Sequence, residues 1–460
     1  MPGTREHDGT PPEARLSAAD RELLLRLMEL PTAGPLETGP GATPQLWSAQ
    51  AAYAEAAARL GCTVVHHAAP QPETLLAPGV PRTVTEAAAE RQDFLACQPS
   101  TVLRLGPELP HEATVMFNVH LDTVAGGGPA HFDGRRFHGR GAIDAKGPAV
   151  GLLAGLRAAL AACPELGTRA GVLIQLVSGE EGGAMGVFGT RPLVEAGWTG
   201  RLNVFCEPTG LRVLDRSTAA MTAALRVRGR DGIDDTPGGG HNATVLLGHL
   251  AQHLARELPQ PADGQVCVGG LHTGTMHNKV YGSGDLLINL SYGSPATAWM
   301  LERALKDAVR SGVAEFRERF ARHPSFALTA ADADRLVRLD WLKRGLPALG
   351  PGPGGESGAG GDPWCAELLL ERAGLEPWPA GAPAFTCDAI WLADVPGTST
   401  VVLGPGDLDA NGAHAEEEFA DLADLDAYAG HVARVLLHFA RNSPPTTPRT
   451  LRPPLPEAAS

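Results

Sequence analysis

Five separated stretches of the chain carry residue types that suit metal-assisted hydrolysis. They are His120 and Asp122 in HLD, Asp144 in the turn GRGAIDAKGP, the adjacent Glu180 and Glu181 in SGEEGG, Glu207 before a proline, and His414 in GPG…AHxxxE. Two imidazoles and several carboxylates, without thiolate, suit zinc, cobalt or manganese. A bridging carboxylate such as Asp144 could hold two ions about 3.5–4 Å apart, the spacing of two-metal hydrolases. Without cations, carboxylates gathered in one crevice would repel and some would protonate. Gly179, Gly182 and Gly183 let the chain turn around the glutamate pair. One glutamate can then bind metal while the other faces water whose pKa is lowered from about 15.7 towards 7, takes its proton and passes it to a leaving amine. Asp122, two residues after His120, is placed to orient that imidazole. An HxD or an EE pair alone ordinarily belongs to a solvated loop; their ordered recurrence at strand ends gives them weight.

Such residues need elements that bring strand ends to one crevice. Apolar strand candidates at Thr114–Val119, Gly171–Val177, Leu202–Phe205 and Thr398–Leu403 alternate with helical segments, among them Gly147–Cys163. Strands without strict polar alternation, separated by helices, predict an α/β fold with a mostly parallel sheet covered on both faces. Ligands in such sheets bind at the carboxyl ends of strands, where the five stretches fall. From Thr222 to about Ala321 the order changes to strand, helix (Ala243–Glu257), strand (Gln265–Leu271), strand (Leu286–Ser291) and long helix, which predicts an inserted α+β two-layer domain with an antiparallel sheet. The expected division is a metal-binding domain over 15–208 and 324–441, the insertion over 209–323, and disordered ends at 1–14 and 442–460. A first helix is expected from Ser17, and the glycine-rich stretch Gly350–Pro363 reads as a loop or hinge.

The chain has 460 residues, 38 Lys+Arg against 52 Asp+Glu, a net charge of −14 and 43% hydrophobic residues. The acidic balance disfavours a nucleic-acid or anionic-membrane partner. No signal peptide or bilayer-length apolar run is read, so the expected location is cytoplasmic. Seven widely spaced cysteines, none in a CxxC pair, suggest neither a disulfide framework nor a thiolate zinc site. The Asp144 turn matches neither common phosphate loop, and Ser178 sits in no nucleophile elbow.

With these motifs in hand, the sequence resembles the co-catalytic zinc amidohydrolase and peptidase family that includes acetylornithine deacetylase, succinyl-diaminopimelate desuccinylase, aminoacylase and carboxypeptidase G, over roughly Leu23 to Leu437. The resemblance implies a zinc-exopeptidase-like fold with a lid and dimerisation domain, and two divalent ions, most simply zinc, with cobalt or manganese as alternatives. It implies that His120, Asp144 and Glu207 bind one ion and Asp144, Glu181 and His414 the other. Asp122 would orient His120, and Glu180 would be the general base and acid. The implied substrate is an N-acylated amino acid or related small amine, and the implied assembly a homodimer through the lid.

The family's lid motif GxxxHxxxPxxGxNA keeps its frame here as Gly229, Pro237, Gly240, Asn242 and Ala243, but Ile233 occupies the histidine position. His241 is a substitute if the loop is rebuilt, Asn278 falls at a family asparagine, and Asp388 is a candidate substrate contact. Tyr292, Ala389 and Ile390 stand where relatives often carry arginine, which weakens the case for a buried substrate carboxylate. Alternative readings are a metallo-dipeptidase or carboxypeptidase of the same family, an acyl-transfer enzyme, or a metal-binding relative without turnover.

Overall fold

The computed structural model describes residues 14–350 and 363–442. The expected disordered ends therefore lie outside the described residues, except Ala14, which is buried, and Asn442, which closes the last helix. Residues 351–362 of the glycine-rich stretch also lie outside them.

In chain order the main strands are β1 (Cys62–Ala68), β2 (Ser100–Leu105), β3 (Thr114–His120), β4 (Gly171–Val177), β5 (Leu202–Phe205), β6 (Ala219–Arg228), β7 (Gly264–His272), β8 (Ser283–Tyr292), β9 (Val337–Lys343) and β10 (Ser399–Val402). The main helices are α1 (Ala18–Glu29), α2 (Leu46–Ala58), α3 (Lys146–Ala162), α4 (Ala243–Glu257), α5 (Pro295–Phe320), α6 (Ala327–Leu336) and α7 (Leu422–Asn442).

A six-stranded sheet runs in the order β1-β2-β4-β3-β5-β10. The four strands from β4 to β10 are parallel, whereas β1 and β2 form an antiparallel edge. Every residue of β3 and β4 is buried, as expected for strands covered on both faces. Successive side chains point to opposite faces. Val115, Phe117 and Val119 enter the core under α1, α2, α3 and α7, while Met116 enters a smaller core with Leu193 and Leu392.

Close packing on the larger face depends on small residues. Cβ atoms at Gly151 and Gly155 of α3 would lie 2.9 Å from Tyr428 and 2.6 Å from Val432 of α7, so glycine lets the two helices meet. Ser17 and Asp20 form a capping box at the start of α1. Arg157 of α3 holds Asp20 at 2.6 Å, which fixes α1 against α3.

The inserted segment forms a second, antiparallel sheet in the order β7-β8-β6-β9, packed with α4, α5 and α6. The sheet continues past the expected boundary at His323, because α6 and β9 follow and β9 pairs along β6. Lys343, the last residue of β9, pairs with Thr222 where the register shifts.

Candidate metal centre

The ends of β3, β4 and β5, the turn before α3 and the loop after β10 meet in one crevice. His120 closes β3 and is 1% exposed. Its Nδ1 donates to the backbone carbonyl of Asp122 at 2.9 Å. That bond fixes the tautomer and leaves the lone pair on Nε2. Nε2 faces Asp144 Oδ1 at 2.9 Å and Glu207 Oε1 at 3.6 Å. On the far side, His414 Nε2 lies 3.1 Å from both Asp144 Oδ2 and Glu181 Oε1. Asp144 therefore turns one oxygen to each imidazole.

An imidazole lone pair facing two carboxylates is repulsive unless a proton or a cation lies between them. Two divalent ions fit this donor set, one among His120, Asp144 and Glu207, the other among Asp144, Glu181 and His414. Within each trio the donor atoms lie within 4.8 Å of one another.

Electrostatics describe the same demand. Burial, with the neighbouring acids, pushes Glu180 well above the carboxylate range. Burial also pushes Glu181 up to about 7 and raises Glu207. Hydrogen bonds to Asp144 and Glu181 push His414 up to about 10. Burial opposes charge on His120, yet Glu207 and Asp144 hold it well above its usual range. Burial also opposes charge on Asp144, but hydrogen bonds from His120 and His414 keep its carboxyl low. Without bound cations the crevice keeps its charge in balance with protons.

The supporting residues differ from expectation in one respect. The Asp122 side chain is buried, but its Oδ2 accepts from the backbone N–H groups of Gly179 and Glu181 at 3.0 and 3.1 Å. Its Oδ1 stands 3.7 Å from His120 Nδ1. The backbone of Asp122 thus orients the imidazole, while its carboxylate shapes the glutamate turn. The chain turns on either side of the pair as glycine permits, with φ of 77° at Gly179 and 67° at Gly182. Glu180 approaches His120 closely enough to form a further trio with it and Glu181.

The structure gives the three candidate substrate contacts the following surroundings. His241 accepts from Arg230 N–H at 2.8 Å through Nδ1 and meets Asp332 at 3.0 Å through Nε2, so both nitrogens are committed to holding its own loop. Asp388 is 1% exposed and accepts from Thr190 Oγ1 at 2.5 Å. A Cβ on Gly186 would strike its carboxylate, so Asp388 lies beneath the glutamate loop rather than open to a substrate. Asn278 is exposed in a turn before Lys279. Ile233 is 57% exposed, and Tyr292 is buried with its hydroxyl on the Leu346 carbonyl.

Two residues escaped the sequence reading. Glu418 is 1% exposed, accepts from the N–H groups of Ile143 and Asp144 at 3.0 and 3.2 Å, and pairs with Arg140 at 2.6 Å. It is the glutamate of AHxxxE, so the signal was present without a role. Lys343 is half-buried at the end of β9, where burial pushes its ammonium below the usual lysine range and the charge of Glu180 opposes that shift. It forms no ion pair within 4.0 Å among the described residues, and only the fold brings it there.

Comparison with known proteins places these features among relatives. The model for Peptidase family M20/M25/M40 matches residues 116–438. A LysW-lysine/LysW-ornithine hydrolase of Aeropyrum pernix is 34% identical over 198 residues, 43% of this chain, and the match spans about half of that relative, 52%. An acetylornithine deacetylase of Myxococcus xanthus is 28% identical over 321 residues, 66% of this chain and 73% of its own. Among solved structures, the M20 family metallo-carboxypeptidase Sso-CP2 of Sulfolobus solfataricus has a similar fold, with TM-score 0.64 and 12% identity over 92% of this chain and 100% of its own.

Proposed function

We propose, from the premise that this chain belongs to peptidase family M20/M25/M40, that it is a two-metal amidohydrolase that removes an acyl group from an amino-acid-like amine. The single observation that carries this reading is Asp144, whose two oxygens address two different imidazoles, each backed by a further carboxylate. When bound, the ions would acidify water and polarise the scissile carbonyl. Zinc suits the donor set best, with cobalt or manganese as substitutes.

Glu180 is the general base and acid. It lies beside the ligand shell and is not needed to complete either trio, so it can take a proton from water and hand it to the departing nitrogen. Asp122 holds the turn that aims it, and Glu418 holds the backbone that presents Asp144. Burial disfavours the charge of Lys343, and its electrostatic interaction with Glu180 supports it. That charge favours a substrate bearing a free carboxylate, as an N-acyl amino acid or a peptide C-terminus does, and offsets the missing arginines. The relatives' names, an acetylornithine deacetylase and a LysW-lysine/LysW-ornithine hydrolase, support the acyl-amino-acid class over dipeptides.

The protein acts in the cytoplasm as a homodimer joined through the inserted domain. No described helix is long and apolar enough to cross a membrane. The edge strand β7 of the inserted sheet keeps an alternating half-exposed face and one side free of strand pairing among the described residues. Sedimentation giving only monomer would remove the dimer.

The direct test is a panel of N-acetyl amino acids, N-acetylornithine among them, and dipeptides, assayed with added zinc, cobalt or manganese. Release of amine by the wild type and not by Glu180→Gln is expected. Equal release by both proteins would overturn the role of Glu180, and no turnover of any amide by metal-loaded protein would overturn the hydrolase reading.

A further inference from the structure

A second group of ligand-type side chains lies far from the crevice in sequence, between two helices of the inserted layer. α4 carries His249 and His253, and α5 presents Glu315 opposite them. One nitrogen from each ring and one carboxylate oxygen all lie within 4.8 Å of one another. Residues four apart share a helix face, so α4 itself holds the two imidazoles side by side.

Hydrogen bonds decide which nitrogens carry lone pairs. His249 Nε2 lies 3.1 Å from the Gly312 carbonyl, which can only accept, so Nε2 carries the proton and Nδ1 the lone pair. His253 Nε2 lies 2.8 Å from Ser311 Oγ, and that hydroxyl donates to the Ala308 carbonyl at 3.1 Å. The hydroxyl therefore accepts from Nε2, which leaves the lone pair of a neutral His253 on Nδ1. This lone pair faces Glu315 Oε2 at 2.8 Å. As in the crevice, two acceptors at that separation call for a proton or a cation between them. Anchoring one ring nitrogen on an oxygen is also how metal-binding histidines are oriented.

The surroundings favour a metal. Burial holds His249 below its usual range against the pull of Glu315, so the ring is a neutral donor near pH 7. Arg256 and Arg319 reach Glu315 only at 3.8 and 4.0 Å. Reading Ser311, His253 and Glu315 as a nucleophilic triad fails, because Ser311 lies inside α5, where the helix consumes the N–H groups an oxyanion would need.

We propose that His249, His253 and Glu315 form a zinc site that ties α4 to α5, with water at the fourth position. Two imidazoles and one carboxylate match zinc's preference for nitrogen and oxygen donors in tetrahedral geometry. The ion would brace the two helices and has no part in the hydrolytic reaction.

The test uses the full chain carrying Asp144→Ala, which removes the shared ligand of the crevice, stripped with chelator and titrated with zinc in a calorimeter. Elemental analysis after gel filtration gives the stoichiometry. Adding Glu315→Gln or His249→Gln is expected to lower uptake by one equivalent and to abolish a zinc-dependent rise in melting temperature. The melting temperature without zinc should stay near that of the parent. The same one-equivalent difference is expected between wild type and Glu315→Gln, in case Asp144→Ala folds poorly. Uptake unchanged by either substitution, or no zinc beyond the crevice's own, would overturn the proposal and leave a hydrogen-bonded His253–Glu315 pair.

Discussion

Asp144 and Glu180 divide the work of the crevice by where their oxygens point. Asp144 is engaged by two imidazoles, and Glu180 belongs to neither of the two trios that share Asp144, though it lies close to His120 and Glu181. Glu180→Gln keeps the shape and removes the proton acceptor, so kcat should fall about 10²–10⁴-fold while bound metal, measured by elemental analysis, stays at the wild-type count. A parallel loss of metal would make Glu180 a ligand instead. In the proposed reading Lys343 acts on binding. Lys343→Met should raise KM for N-acyl amino acids about tenfold or more and leave KM for the corresponding amides nearly unchanged, because only the acid offers it a partner. Equal effects on acid and amide would make Lys343 a packing residue.

At the scale of elements, Glu418 shows how one buried carboxylate serves several others. Glu418→Ala would strand the N–H groups of Ile143 and Asp144 and the Arg140 guanidinium. A stability loss of about 1–3 kcal/mol by denaturant titration is expected, together with metal affinity weakened about 10–100-fold. Helix α7 carries a pH-sensitive position. Burial, with Arg434 nearby, pushes His431 from 6.5 down to about 4, and its Nδ1 is buried without a hydrogen-bond partner among the described residues. The unfolded chain then takes up this proton before the folded one does. The stability of neutral His431 is present above pH 6.5 and is lost as pH falls towards 4. Thermal melts should show the gap between His431→Leu and wild type shifting in favour of the variant across that window. Parallel curves would contradict the assignment.

The elements most legible in the sequence were those whose burial leaves a continuous apolar run, such as β3, β4 and α3, and the catalytic motifs were legible because they sit where those runs stop. β1 was not read, because CTVVHHA is half-exposed and carries two histidines. β9 was not read because VRLDWLK alternates charge on a sheet edge and joins β6 only through long-range pairing. Lys343 shared that fate, since its position depends on the same long-range pairing of β9 with β6. The partners of His241 and Asp388 were not legible either, because spacing shows that a polar residue is near a motif, not which groups it bonds.

For the whole molecule, the proposed ions would take the place of the protons that otherwise balance the crevice. Chelation should lower the melting temperature reversibly, and each restored site would add about 2.7 kcal/mol at a hundredfold excess over its Kd. A calorimetric melt unaffected by chelator would show that the carboxylates do not depend on cations for stability. The central claim is tested most directly by anomalous diffraction at the zinc edge from crystals of the zinc-loaded protein. Two peaks flanking Asp144 are predicted, one contacted by His120 and Glu207 and the other by Glu181 and His414. One peak, or none between those side chains, would contradict the account.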